Sequence, residues 1–257
     1  CDEEYEPSSE YDSSFALQIF AAREAVFKIL AKESLSIHEK LIVILDMGSK
    51  IQQCINTDEY DNIKSVVNDY LKEGIAHTLD ETRNLSDSGQ FEDISLQQGI
   101  RQILYPYEEM EVLNPEWEVI LKDIIDSLFE QMSDEEYNIL NEEFGTYMVS
   151  RAYEYRQLLE YLVFRYFAKS IYDYDFLGKC QMLVTNFFVI RQMDIIRWLD
   201  NHREYSFKDR MDVVHIFSRQ VEYSEDNIEN LYEDFIFDDI FKTDSLIAIL
   251  WIDSENI

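Results

Sequence analysis

Six glycines and three prolines in 257 residues leave very few places where this chain could turn sharply. A sheet protein needs turn residues at short, regular intervals, whereas helices need them only between long segments. The scarcity therefore predicts an all-α, multi-helix fold. Periodicity agrees: Phe15, Ile19, Ala22, Val26, Ile29 and Leu30 recur at three- and four-residue steps, one face of a helix. Helix starts are legible too. Ser36-Ile37-His38-Glu39 and Ser133-Asp134-Glu135-Glu136 have the spacing of a capping box, in which the Ser and Glu side chains each satisfy a free N–H. Asn114-Pro115-Glu116 places an N-cap before a proline at the first helical position.

The pattern divides the chain into two helical subdomains. Residues 1–14 form an acidic flexible tail, and residues 15–105 an N-terminal helical subdomain with a polar loop near 80–99. Ile100–Tyr105 is expected to stop at Pro106. Residues 106–257 form an aromatic-rich C-terminal subdomain, with helices expected over Met148–Ala168, Phe176–Leu199, Ser206–Val221, Ser224–Phe235 and Leu246–Ile252.

Charge narrows the function. Against 53 acidic residues stand 22 basic ones, a formal charge of −31, and a phosphate backbone would be repelled, so nucleic acid is excluded as a partner. Basic, lysine-rich partners suit such a surface, although solubility alone would also account for it. At 46% hydrophobic residues the chain is too apolar to be disordered. Glycine-rich phosphate loops, a Gly-x-Ser-x-Gly elbow and histidine pairs at ligand spacing do not occur. The longest apolar runs fall short of the roughly 20 residues of a transmembrane helix.

Cys1, Cys54 and Cys180 are too scattered for a disulfide framework or zinc site, so a reducing cytoplasm is the default. Cys1 leaves two readings open: a lipid-anchored mature protein, or a longer protein that has lost its N-terminal portion.

Basic residues inside apolar helices are the most informative. Arg165, Arg191 and Arg219 must each be paired or reach solvent, because burying an unpaired charge costs roughly several kcal/mol. A structural ion pair, with Glu160 or Glu222 as partner, is the plain reading; an anion clamp for a carboxylate or phosphate is the functional one. Tyr153, Tyr161 and Tyr166 are core residues or, alternatively, the lining of a pocket for methylated amines or sulfonium groups.

Four segments resemble one family. Tyr161-Leu162-Val163-Phe164-Arg165-Tyr166-Phe167 resembles the "YLVYRFF"-like helix of the flagellin lysine N-methylases, and Ile190-Arg191 matches the Ile-Arg within that family's long apolar helix. Phe217-Ser218-Arg219-Gln220-Val221-Glu222-Tyr223-Ser224-Glu225-Asp226-Asn227 is similar to the family's "(F/Y)SREIEHSEEN". Ala22-Arg23-Glu24 and the helix ending at Ile51-Gln52 resemble its "ARE" and "KIQ" elements. Two departures stand out. Tyr223 replaces the family's histidine, and Leu159-Glu160 replaces the Glu-Asn pair before Tyr-Leu-Val.

The resemblance implies a bacterial methyltransferase that moves methyl groups from S-adenosylmethionine to lysines of flagellin or another lysine-bearing protein. It also implies an iron–sulfur cluster held by an N-terminal cysteine-rich segment, for which Cys1 is the one weak ligand candidate here. Neither cofactor is evident in the chain, which is expected to be the helical part of a longer enzyme and inactive by itself. Tyr161, Arg165, Arg191, Arg219, Glu222, Tyr223 and Asn227 are the implied substrate- or cofactor-binding candidates; the catalytic residues are not identified. The alternative is a non-enzymatic acidic lipoprotein or interaction scaffold.

Overall fold

A computed structural model describes residues 13–87 and 94–255, and these form helices with no strand among them. The helices are α1 (Ser13–Leu30), α2 (Ile37–Asn56), α3 (Ile63–Asp69), α4 (Ile75–Asp87), α5 (Leu96–Glu108), α6 (Pro115–Ile124) and α7 (Asp134–Met148). There follow α8 (Ala152–Tyr166), a short α9 (Ser170–Asp173), α10 (Phe176–Asp200), α11 (Phe207–Phe217), α12 (Glu225–Phe237) and α13 (Thr243–Glu255). The all-α expectation holds. Both capping boxes form, with the Glu39 carboxylate accepting from Ser36 N at 2.8 Å and the Glu136 carboxylate from Ser133 N at 2.9 Å. Asn114 caps α6 ahead of Pro115, as its sequence predicts.

Two expectations need correcting. Much of the segment read as a polar loop near 80–99 is helical: α4 runs on to Asp87, and α5 starts at Leu96 behind an Ser95 cap. Tertiary contact outweighs polar composition there. Thr78 and Thr82 are buried, Trp251 Nε1 donates to Thr82 Oγ1 at 3.1 Å, and Arg83 lies 4.4 Å from the Trp251 ring centroid. Nor does Pro106 stop its helix. It lies within α5, where the lost backbone hydrogen bond is offset by burial of Ile103, Leu104, Pro106 and Tyr107. Cys1, most of the acidic tail and residues 88–93 lie outside the described residues.

Helix α10 forms the axis of the fold. Its residues from Phe176 to Ile196 are buried with the single exception of Leu177, and Trp198 is buried too. A helix apolar or buried on every side must be surrounded, and α2, α5, α6, α8, α11, α12 and α13 all pack against it. Helices α2 and α13 also pack on each other, so one cluster of buried side chains crosses the boundary expected near residue 105. No helix among the described residues is long and apolar enough to cross a membrane.

The sequence did not foretell that regular helix gives way to π-helical turns at Tyr70–Gly74, Ile125–Glu130 and Ser218–Glu222. Such a turn widens the helix locally and re-aims the side chains beyond it.

The approach of α2 to α10 depends on Gly48, where an added Cβ would lie 2.5 Å from Cys180 Sγ. Gly48→Ala should cost about 1–3 kcal/mol in urea denaturation through overpacking. Cys180→Ala in the same chain should recover part of that loss. Strict additivity of the two substitutions would show that the helices do not meet there.

Candidate functional site

Two of the motifs read from the sequence meet at one carboxylate. Glu222 ends the π turn after α11, and its side chain is 2% exposed against α8. The Tyr161 hydroxyl donates to its Oε2 at 2.9 Å, the Tyr166 hydroxyl at 3.2 Å and Arg165 Nε at 2.9 Å. Arg165 Nη2 also donates to the Glu222 carbonyl at 3.3 Å. Burial, and then the bond to Glu222, raise the Tyr161 phenol above its ordinary pKa; burial does the same to Tyr166. The pairing of Arg165 with Glu222 is thus the structural ion pair anticipated for it, and this carboxylate serves as a clamp between α8 and the π turn.

The neighbouring residues of the motif hold a different partner. Gln220 Oε1 accepts from Leu113 N at 2.9 Å and Asn114 N at 3.2 Å, while its Nε2 donates to the Glu111 carbonyl at 2.6 Å. Asn227 Oδ1 accepts from Glu111 N at 3.0 Å, and its Nδ2 donates back to the Glu111 carbonyl at 3.1 Å. Together they fix the loop that leads into α6. Tyr223 points outward, 76% exposed, and its hydroxyl makes no hydrogen bond among the described residues.

Arg191 lies apart from this junction, buried on α10. It donates to Asn141 Oδ1 and, at 3.3 Å, to the Asn141 carbonyl, and it lies 3.5 Å from Asp253 Oδ1. His38 Nε2 reaches the other oxygen of Asp253 at 2.7 Å. Burial alone would raise the Asp253 carboxyl, but Arg191 and His38 hold it down at about 2. Sequence reasoning missed a second buried network on the same helix. Asp194 accepts from the Tyr155 hydroxyl at 2.7 Å, from Tyr205 and from Arg210, whose Nε lies 3.1 Å from Glu154 Oε2. Burial pushes the Asp194 carboxyl up, against the pull of Arg210 and the tyrosines.

Arg219 faces open space. From the same π turn it lines a groove of about 750 Å³ between α6, the end of α10 and α11. Ile120, Ile196 and Ile216 supply its apolar part; Glu116, Asp123, Asp200, Asp212, Arg197 and His215 supply polar groups. Neither Arg197, Arg219 nor any of these carboxylates makes a side-chain hydrogen bond or ion pair among the described residues. One signal could have found Arg197: like Arg191, it is a basic residue inside the apolar run of α10.

A family model described as the FliB lysine N-methylase C-terminal domain matches residues 23–249. The chain belongs to the FliB lysine N-methylase family. No curated protein and no solved structure matches it. The matched span runs from α1 into α13, so the Glu222 junction and the groove both lie inside the family domain.

The cofactors implied by the resemblance can be tested against side chains. An iron–sulfur cluster needs thiolate ligands. Among the described residues the cysteines are Cys54 and Cys180, and burial raises both thiols, with Glu59 and Asp175 adding to the effect. No cluster of metal-ligating side chains occurs among those residues, which therefore do not fit such a cofactor; Cys1 lies outside them. S-adenosylmethionine asks for other chemistry: a cation for its carboxylate, anions for its ammonium and ribose, and an apolar wall for its base. The groove holds that donor set.

Two outcomes follow. The depressed Asp253 adds stability that is fully present above its ordinary value of 3.8 and lost as pH falls toward 2, about 2 kcal/mol in all. In pH-dependent denaturation Asp253→Asn should flatten that segment of the curve; an unchanged slope would contradict the pairing. Glu222→Ala should cost about 2–3 kcal/mol in urea denaturation, because Arg165, Tyr161 and Tyr166 lose a charged acceptor.

Proposed function

We propose that this chain is the helical body of a lysine N-methyltransferase that moves methyl groups from S-adenosylmethionine to lysine side chains of flagellin or a similar protein. The family match over residues 23–249 carries this reading. Two features support it. The charge of −31 attracts lysine-bearing protein, a long-range pull that salt would weaken. The π turn Ser218–Glu222 organises the groove from one side: Glu222 ties it to α8, Gln220 ties it to the start of α6, and Arg219 enters the cavity.

S-adenosylmethionine, when bound, supplies an electrophilic methyl group. The residues of this chain hold and orient. Arg197 and Arg219 would take the carboxylate of the donor, and the isoleucines of the groove would exclude water from its base. A lysine amine must arrive deprotonated and in line, which needs a proton acceptor and a fixed approach. Tyr161 is 43% exposed at the junction and Tyr223 is more open still, so both can be reached by a protein substrate.

The test is methylation of purified flagellin by the full-length protein, prepared without oxygen, with isotopically labelled S-adenosylmethionine. Mass spectrometry should place the label on lysine Nζ, and acetylated flagellin should take up none. Unlabelled flagellin, with the enzyme folded and all cofactors loaded, would refute the reading.

A further inference from the structure

Helix α12 ends by presenting two large apolar side chains to solvent. Phe235 and Phe241 are buried with ring centroids 5.1 Å apart, and they pin the corner where Asp238 leaves the helix in an extended conformation. Between those two anchors Ile236 and Phe237 are 74% and 79% exposed, so their display is built into the corner. The next residues, Asp238 and Asp239, line a groove of about 480 Å³ together with Ile240 and with Tyr105 of α5. Gln102, Tyr105 and Glu109 follow one another at three- and four-residue steps and form the exposed face of α5 on this side. An exposed apolar patch with a polar rim marks an interaction surface.

The rim carries negative charge without cations to match. Burial, and then the charges of Asp238, Glu109 and Glu233, raise the Asp234 carboxyl, which places these four groups within reach of one another. None of the four forms an ion pair among the described residues. Arg101, in the same groove, is paired with Glu108, and Lys242 is paired with Asp239. The Tyr105 hydroxyl donates to Glu109 Oε1 at 2.9 Å, which holds that ring beside the acidic group.

This mixture selects its occupant. An uncharged apolar partner would cover Phe237 but strip water from carboxylates that then have no partner. Nucleic acid or an anionic membrane would be repelled. A lysine-rich chain without apolar residues would leave the exposed phenyl and isoleucine in water. A helix with one apolar side and basic residues along its edge satisfies both parts, and a groove between helices is the usual seat for one.

We propose that the face formed by α5 and the end of α12 docks a basic amphipathic helix of a partner protein. The apolar side of that helix lies on Phe237, Ile236 and Tyr105, and its lysines or arginines meet Asp234, Asp238, Glu109 and Glu233. The docking uses none of the residues assigned to methyl transfer, so it stands or falls apart from that activity.

Fluorescence anisotropy of this chain with a labelled synthetic helix provides the test. The probe is a leucine–lysine helix of about 18 residues, roughly five turns, with all leucines on one side. It should bind, whereas a peptide of the same composition, scrambled so that the leucines form no face, should bind about tenfold more weakly. A leucine–glutamate helix should not bind. The double variant Ile236→Ser, Phe237→Ser should lose about tenfold in affinity for the leucine–lysine helix, and so should Asp234→Asn, Asp238→Asn. Both pairs lie at the surface end of α12, and an unchanged circular dichroism melt would confirm that the fold is intact. Glu142→Gln, Glu143→Gln removes two exposed charges from α7 and should leave binding unaltered.

Three results would overturn the proposal. Equal binding of the scrambled peptide would show that net charge alone attracts the probe. Undiminished binding by the Ile236, Phe237 variant would place the contact elsewhere. A dimer in sedimentation velocity that dissociates on Phe237→Ser would assign the face to a second copy of this chain.

Discussion

A helix buried on every side has no water to satisfy its polar groups, and α10 carries several. Each unpaired one would cost free energy comparable to a lost hydrogen bond, and an unpaired charge far more. The surrounding helices supply partners for most of them, while Asn186 Nδ2, Gln192 Nε2 and Trp198 Nε1 are buried without one among the described residues. Tyr107 of α5 reaches Thr185 and Asn186, Tyr137 of α7 reaches Gln192, and Gln181 reaches the carbonyl of Phe241. Arg191 finds Asn141 and Asp253; Asp194 finds Tyr155, Tyr205 and Arg210; Lys179 finds Asp173 at 2.7 Å. Apolar burial holds the helices together, but these pairings allow them few alternative registers, because sliding any neighbour by one turn would orphan a buried group.

The groove inverts that rule. Around α10 the buried charges are paired, whereas at its C-terminal end Arg197 and Asp200 emerge beside Asp123, Asp212 and Arg219 with no ion pair among the described residues, Arg197 acting on Asp209 only at longer range. The same π turn belongs to both regimes. Its Glu222 accepts from Tyr161, Arg165 and Tyr166, and three residues earlier Arg219 lines the groove with no ion pair among the described residues. A regular α-helical turn would space these side chains differently, and the widened turn is what lets one short segment clamp α8 and edge a cavity at once.

Much of this was legible in advance. Low glycine and proline content, helical periodicity and the caps at Ser36, Asn114 and Ser133 place most helix starts. Glu222 was one of two ion-pair partners open to Arg165 in the sequence, and the structure places Tyr161 and Tyr166 on the same carboxylate. Less legible were the roles. Asn227 and Arg191 spend their polar atoms on Glu111, Asn141 and Asp253, and those partners lie from 50 to 116 residues away in sequence. Nothing in a local pattern names a partner at that distance. The helical course of α4 and the tolerance of Pro106 escaped for the same reason, since contacts with α13 and α10 decide them.

The sequence by itself determined that the chain would be helical, where most helices begin, that its charge would repel nucleic acid, and which segments resemble a methyltransferase. Those properties depend on local spacing and on composition, which no fold can alter. Only the tertiary structure decided which arginines form ion pairs among the described residues and which line the groove. Pairing depends on distance in space and on exclusion of water, and in a chain with carboxylates everywhere, it took the packing around α10 to leave Arg197 and Arg219 without an ion pair among the described residues.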